Sequence, residues 1–395
     1  MNKQIYSYSL FAFPLSFVGI PLYIFLPEFY ASNFGISLAS IGIIVLLTRG
    51  LDTITDPICG YISDTFPNFR KHIICISAIL LGFAFYLLFN PVLANKTGNL
   101  VVVSAVTYLC FSMLTVNHLA LVGTFQDKVL ASSTRELFTV AGLLFATLLP
   151  SLLMLKFSPI KTFQIVGIAV FVILVLCAFL FWKNFTLTKT IEKNQISWQW
   201  AKNGVLWKYF TVLLINGMAI ATPSTLVIFY IKNFLQLEKF TGLFLMTYFL
   251  SAILFIPIWK RLCNKIGAEK LFKVGIIGSI VVFSACFFVQ SGNVAFYLGI
   301  CFFSGVFFGI DLIAPTLITN SIIESNKMET ARTFIFGITH FISKISIAII
   351  SGVLLIILGA KTGASYQTIL HFSYTILPCI LKIVALFIFS FVKNV

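Results

Sequence analysis

Residues 49–64 have the sequence RGLDTITDPICGYISD and lie inside the second long apolar stretch of this 395-residue chain. Arg49, Asp52 and Asp56 are spaced i, i+3 and i+7, so on an α-helix they share one stripe of the surface. A charged side chain at the centre of a membrane-spanning helix costs about 2.5 to 3.5 kcal/mol, so such residues face the protein interior and are usually paired. The pattern predicts a charged stripe that faces a cavity within a bundle of helices.

The composition around this segment is that of an integral membrane protein. Hydrophobic residues make up 59% of the chain and charged residues 10%, with a mean hydropathy of +1.03, whereas a soluble chain is about a quarter charged. The net charge of +15 would suggest nucleic acid in a soluble protein, but here the cations lie between apolar runs. Nucleic-acid binders instead cluster cations on an exposed face. We therefore expect membrane lipid around the chain and no nucleic-acid partner.

Apolar runs long enough to cross a bilayer, about twenty residues each, recur along the whole chain. We predict spans at 6–31, 37–62, 72–94, 99–124, 136–157, 162–182, 206–231, 240–259, 270–290, 293–318, 333–358 and 367–391. One long polar stretch, residues 183–203, separates six spans from six. The sequence therefore predicts an all-α membrane protein with twelve transmembrane helices in two six-helix bundles, the plan of the major facilitator fold. The predicted domains are an N-terminal bundle at 1–183, a cytoplasmic linker at 184–205 and a C-terminal bundle at 206–395.

The loops between the spans indicate the orientation. The N-terminus, the even-numbered loops and the C-terminus hold most of the Lys and Arg outside the spans, and such segments stay in the cytoplasm. We expect a multi-pass protein of a cell membrane, the bacterial inner membrane, with both termini inside.

The carboxylates of the second span suit a cation. Asp52 and Asp56 stand one helical turn apart with the hydroxyls of Thr53 and Thr55 beside them, and such oxygen-rich sets suit a hard cation such as Na⁺. The two carboxylates could equally share a proton. We also expect Pro57 to break the helix and free carbonyl ligands there. We predict a coupling-cation site here, and if the cation is a metal ion we expect Na⁺. The alternative is an Arg/Asp ion pair with a purely structural role.

The end of the same span carries a second pattern. Gly60 permits close approach of another helix, and Asp64 lies where it could accept a hydrogen bond from a neighbouring helix end. Arg70 follows in the next loop. We predict that Asp64 and Arg70 form a conformational latch.

The pattern Arg49-x-x-Asp52-x-x-x-Asp56-Pro57-x-x-Gly60-x-x-Ser63-Asp64 resembles the second-helix signature of the glycoside/pentoside/hexuronide:cation symporters, the sodium/melibiose carrier family. Comparable residues follow this family elsewhere, at Gly35-Ile-Ser-Leu, Gln126-Asp127-Lys128, Pro257-Ile-Trp-Lys-Arg-Leu with Gly267, and Phe341-Ile-Ser-Lys344. The resemblance covers most of the chain and implies secondary transport in a major facilitator fold. It also implies that Asp52 and Asp56 are the cation ligands, with Lys344 close to them.

The chain departs from this family where sugar is bound. Sugar-binding members place an aspartate in the first helix and another in the fourth, where this chain has Ser16 and Leu114. Sugar hydroxyls need charged or amide acceptors in fixed places, so we expect a substrate that is not a typical glycoside. At the end of the tenth helix, Ser321 and Glu324 stand where the family has an aspartate pair.

Other polar residues inside the spans are candidates for substrate binding. They are Arg49, Ser16, Asn117, His118 and Asp311. Asn117 and His118 could bind substrate or hold helices together. Asp311 could contact substrate or pair with Lys382, which could instead extend towards the membrane interface.

Enzyme motifs do not occur in the sequence. It has no phosphate-binding Gly-rich loop with Lys and Ser/Thr, no G-x-S-x-G and no H-E-x-x-H, so we expect no enzyme and no cofactor beyond the coupling ion. We predict a monomeric, cation-coupled secondary transporter of a small solute. The alternatives are a carrier of lysophospholipid or another amphipathic substrate, and a transport-dead membrane receptor or assembly protein.

Overall fold

The structure, a computed structural model, describes residues 3–36, 38–154, 156–185, 198–359 and 363–392. Within these ranges the chain forms helices and turns and no β-strand. Its contacts divide it into a first unit of Met1–Ser197 with Glu329–Ile338 and a second unit of Trp198–Met328 with Thr339–Val395. The domain bounds at 183 and 206 stay a prediction, and most of the predicted linker lies outside the described residues.

The helices follow the predicted order of apolar runs. The first unit contains α1 (Lys3–Ser9), α2 (Ala12–Ile20), α3 (Leu26–Phe34), α4 (Leu38–Thr65), α5 (Arg70–Phe89), α6 (Lys96–Ala120), α7 (Lys128–Met154) and α8 (Pro159–Asn184). The second contains α9 (Gly204–Phe229), α10 (Thr241–Ile266), α11 (Ala268–Cys286), α12 (Val294–Ser325) and α14 (Gly363–Phe389). Helix α13 (Arg332–Gly359) begins in residues of the first unit and continues in the second.

Nine stretches of the described chain are long and apolar enough to cross a membrane. They are Pro67–Phe89, Lys96–Thr124, Lys128–Met154, Pro159–Asn184, Gly204–Phe234, Glu238–Ile266, Val294–Ser325, Glu329–Leu354 and Ser365–Phe389. The segments α1 to α3, helix α4 and helix α11 occupy the positions of the other three predicted spans, the first, second and ninth.

The first predicted span is not one continuous α-helix. Pro14 has no N–H to donate to the carbonyl of Leu10, and the N–H of Phe13 donates there instead at 3.3 Å. A π-helical turn, Pro21–Phe25, follows, in which the N–H of Leu26 donates to the carbonyl of Pro21. These local changes divide the span into α1, α2 and α3.

Aromatic side chains fill the interior of each unit. In the first, Phe89 of α5 stacks on Phe163 of α8 with ring centroids 4.5 Å apart, and Phe29 of α3 lies edge-on to both. In the second, Tyr230 stacks on Tyr374 of α14 at 4.0 Å. These contacts fix the packing of neighbouring helices, so each unit holds its polar side chains in fixed places.

Candidate functional site

The two carboxylates of the predicted cation site lie in the middle of α4. Asp52 is 2% exposed and Asp56 is fully buried, and the half-buried Thr53 lies between them in sequence. Contrary to the sequence expectation, α4 runs through Pro57 as one helix. A proline inside a membrane helix is tolerated where neighbouring helices and local adjustments compensate for the lost hydrogen bond.

A hydroxyl from α6 contacts Asp52. Ser112 donates to Asp52 Oδ1 at 2.8 Å, and Thr55 donates to the carbonyl oxygen of Asp52 at 3.0 Å. The hydroxyls of Thr55 and Ser112 are 3.3 Å apart. This oxygen cluster combines carboxylate, hydroxyl and carbonyl groups, the ligands that Na⁺ and other hard cations prefer.

The start of α13 crosses α4 very closely beside the carboxylates. A Cβ atom added at Gly337 would lie 2.6 Å from the carbonyl oxygen of Asp56, and one added at Gly60 would lie 2.5 Å from that of Thr333. Both neighbours are backbone atoms, which cannot move aside cheaply. The two glycines therefore permit the backbones of α4 and α13 to touch, and the start of α13 forms one wall beside Asp56.

The predicted latch residues form an ion pair at the end of α4. Arg70 donates to Asp64 Oδ1 at 2.7 Å, and both side chains are buried. Asp64 Oδ2 accepts the backbone N–H of Phe334 at 2.8 Å, in the first turn of α13, where N–H groups have no helical partner and favour a negative charge. One carboxylate thus joins the loop after α4 to the start of α13, and its role as a latch stays a prediction.

Asn117 and His118 each hold another helix of the first unit. Asn117 accepts a hydrogen bond from Ser63 of α4, and its amide nitrogen donates to the carbonyl of Met113 at 2.8 Å. His118 Nε2 lies 2.8 Å from the carbonyl oxygen of Tyr8, which requires a proton on that nitrogen. These contacts agree with the helix-holding alternative, and substrate binding by either residue stays a prediction.

The other residues predicted to contact substrate or cation are Ser16, Arg49 and Lys344. Ser16 donates to the carbonyl of Ala12 at 2.8 Å within its own helix, and the side chain of Arg49 lies outside the described part of the structure. Lys344 is half-buried in the second unit. Their predicted roles remain untested.

Asp311 lies in a buried polar network of the second unit. Lys382 of α14 donates to Asp311 Oδ2 at 2.7 Å and to Asn216 Oδ1 of α9 at 3.2 Å. Asn216 in turn donates to Asp311 Oδ1 at 3.3 Å. The alternative that Asp311 pairs with Lys382 is confirmed, and the extension of Lys382 to the membrane interface is wrong because its side chain is buried. A substrate contact of Asp311 stays a prediction.

Two residues of these networks were missed by sequence reasoning. Ser112 is one of several hydroxyl side chains in the fourth apolar run, and Asn216 is a lone amide in the seventh. Asp52 and Asp311 are recognisable in the sequence because each places a charge inside an apolar run. Ser112 and Asn216 are uncharged and give no such signal. Only their contacts identify them.

Comparison with known proteins decides the family. Residues 7–393 match the family described as MFS/sugar transport protein. The chain belongs to this family. As a member of the MFS/sugar transport family, it is not an enzyme, and the resemblance to the glycoside/pentoside/hexuronide symporters drawn from the sequence is confirmed.

The proteins most relevant for comparison with this MFS/sugar transport protein are themselves described as symporters or transporter homologues. It is 25% identical over 320 residues to the uncharacterized symporter YnaJ of Bacillus subtilis (strain 168), covering 74% of this chain and 68% of that protein. The E. coli fucose:proton symporter has the same fold, with a TM-score of 0.78 at 14% identity over 99% of this chain and 98% of that one. A bacterial homologue of the iron transporter ferroportin also has this fold, with a TM-score of 0.77 at 15% identity over 99% of this chain and 100% of that one. The predicted fold class is confirmed: the chain is an all-α membrane protein with the major facilitator fold.

Proposed function

We propose that this protein is a symporter that couples transport of a small solute to Na⁺ or H⁺, and that the cation binds at Asp52 and Asp56. The observation that carries the proposal is a pair of buried carboxylates one turn apart on α4, with the Ser112 hydroxyl on one of them. Two such charges in a membrane helix are costly unless a ligand or partner offsets them. A bound cation or proton would offset them.

The same geometry supports a mechanism of coupling. Cation binding would cancel charge at the point where the backbones of α4 and α13 touch, near Asp56 and Gly337. Because two ligands that bind to the same conformation raise each other's affinity by the same factor, the solute would bind more tightly with the cation present. Alternating access would then move both together. Thr53 is a further cation-site residue in this proposal because its hydroxyl is next to Asp52 in the sequence, and Lys344 is one on the strength of the family resemblance.

The substrate we propose is not a typical glycoside. Ser16 stands where sugar-binding members have an aspartate, and its hydroxyl is bonded to its own helix. Leu114, at the second such position, is fully buried and offers no polar group. The family description names sugar transport, and the change at these two positions supports a different small solute for this chain.

The proposal also covers the orientation, the membrane and the oligomeric state of the protein. The distribution of Lys and Arg among the loops supports both termini in the cytoplasm. We place the protein in the bacterial inner membrane as a monomer. Asp64 and Arg70 would act as a latch, because the hydrogen bond from Phe334 in the first turn of α13 to Asp64 would break if α4 and α13 moved apart.

Uptake into proteoliposomes tests the proposal. A panel of radiolabelled solutes, including α-galactosides, would be offered under a sodium gradient and, separately, under a proton gradient. We expect one of these gradients to drive accumulation of a non-glycoside solute, and Asp56→Asn to abolish the gradient dependence. Glu238→Gln is the matched control, because this carboxylate lies in an exposed ion pair with Lys232, which contributes little. Accumulation by Asp56→Asn that still follows the gradient would refute the assignment of the site.

A further inference from the structure

The end of the α10–α11 hairpin carries a dense set of cations. Five basic residues fall within a short stretch that contains one carboxylate, Glu269; they are Lys260, Arg261, Lys265, Lys270 and Lys273. Among the described residues none of the five lies in an ion pair. We call this set the basic hairpin end.

The opposite end of α10 differs in its charge balance. There Lys232 pairs with Glu238 at 3.3 Å, and both side chains are exposed. The basic hairpin end has no such compensation, so its positive charge remains open to a partner from outside the chain.

Each helix of the hairpin has one exposed stripe that is apolar along its length and basic at the hairpin end. On α10 the exposed positions are Leu250, Leu254 and Ile258, followed by Arg261 and Lys265. On α11 they are Lys270, followed by Val274, Ile277 and Val281. Their spacing of three and four residues places each set on one helix face. In a membrane, apolar faces of this kind contact acyl chains.

We propose that the basic hairpin end binds an anionic phospholipid. The phosphate and its negative head group would lie among Arg261, Lys265 and Lys270, while the acyl chains follow the apolar stripes of α10 and α11. Arginine suits this role because its guanidinium group can donate two parallel hydrogen bonds to one phosphate. A soluble phosphate would bind the cations but would not contact the apolar stripes of α10 and α11. A zwitterionic lipid would contact the stripes but would not neutralise the positive charge of the basic hairpin end. The inference rests on the membrane fold and does not depend on the proposed cation coupling.

Lipid association measured on the purified full-length protein tests this inference. Spin-labelled phosphatidylglycerol and phosphatidylcholine would be compared in bilayers at low salt, with electron paramagnetic resonance reporting the protein-bound fraction of each. We expect wild type to prefer phosphatidylglycerol, and each cation removed to lower the preference by at most about fivefold, the effect of a basic residue near an anionic surface. Arg261→Gln/Lys265→Gln/Lys270→Gln should abolish most of it. The control variant Lys232→Gln/Lys239→Gln removes two cations near the opposite end of α10 and should retain the preference for phosphatidylglycerol.

Three results would overturn the inference. The first is equal association of phosphatidylglycerol and phosphatidylcholine with wild type. The second is an equal loss of the phosphatidylglycerol preference in the triple and the double variant. The third is a triple variant that keeps the full preference. If the triple variant does not fold, salt gives the answer on wild type: at about 1 M salt, where the screening length is about 3 Å, the preference should vanish. A preference that survives this salt would exclude an electrostatic site.

Discussion

The hydroxyl of Ser112 on α6 donates a hydrogen bond of 2.8 Å to Asp52 Oδ1 on α4. Asp52 is 2% exposed and Ser112 is fully buried, so this bond lies away from water, where a charged acceptor depends strongly on its donors. It joins the two helices at the carboxylate that we assign to the coupling cation.

Removing this hydroxyl should change cation binding, in a direction that depends on the cation. For Na⁺ we expect Ser112→Ala to lower the affinity by about tenfold or more, because an oxygen ligand is lost. For H⁺ we expect tighter binding, because the hydroxyl stabilises the ionised carboxylate and its loss favours the protonated form. The rise in Tm with cation concentration measures this affinity. Ser104→Ala is the matched control, because that hydroxyl is buried on the same helix but bonds to its own backbone. Equal effects of both variants would remove Ser112 from the site.

The closeness of α4 and α13 should make two glycines indispensable. We expect Gly60→Ala and Gly337→Ala each to lower the free energy of unfolding by about 1 to 3 kcal/mol, because the new methyl group meets backbone atoms. Gly50→Ala, on the same helix α4 with open space around it, should be neutral or slightly stabilising because alanine favours the helix. Thermal unfolding in detergent would measure the three variants. Similar Tm values for all of them would contradict the close crossing.

The network of Lys382, Asp311 and Asn216 predicts strong coupling between two substitutions. Asp311→Asn or Lys382→Met alone leaves one buried charge without its counter-charge, and each should destabilise the fold by about 3 to 5 kcal/mol. The double variant removes both charges and should recover most of this loss. Thermal unfolding of the four proteins gives the coupling energy. Additive losses would mean that the pair does not act as a unit, although the atoms lie 2.7 Å apart.

The two ends of α11 test the orientation. In a cysteine-free background, a cysteine in place of the exposed Asn264, in the last turn of α10 just ahead of α11, should be labelled only from the cytoplasm. One in place of the exposed Gln290, after α11, should be labelled only from outside. A membrane-impermeant maleimide applied to intact cells and to inverted vesicles would measure both. The reverse pattern would invert the orientation inferred from loop charge.

Much of the fold could be predicted because its signals are local. The length of an apolar run tells whether it can cross a bilayer, and twelve such runs divided by one polar segment indicate two bundles of six. The charges of α4 were visible for the same reason, since Asp52 and Asp56 interrupt an apolar run. Proline was a weaker guide: Pro14 lies just after a change in the helix path, whereas Pro57 lies within a continuous helix. The outcome depends on what packs around each one.

The sequence by itself determined the class of protein, the order of its spans and the residues whose charges must be buried. Only the tertiary structure decided their partners. Ser112 is 60 residues from Asp52, Phe334 is 270 residues from Asp64, and Lys382 is 71 residues from Asp311. Such pairs depend on how each helix is rotated and where it crosses its neighbours, which side-chain packing and small residues such as Gly60 set. Spacing along the chain identifies the face of a helix, and packing selects what that face meets.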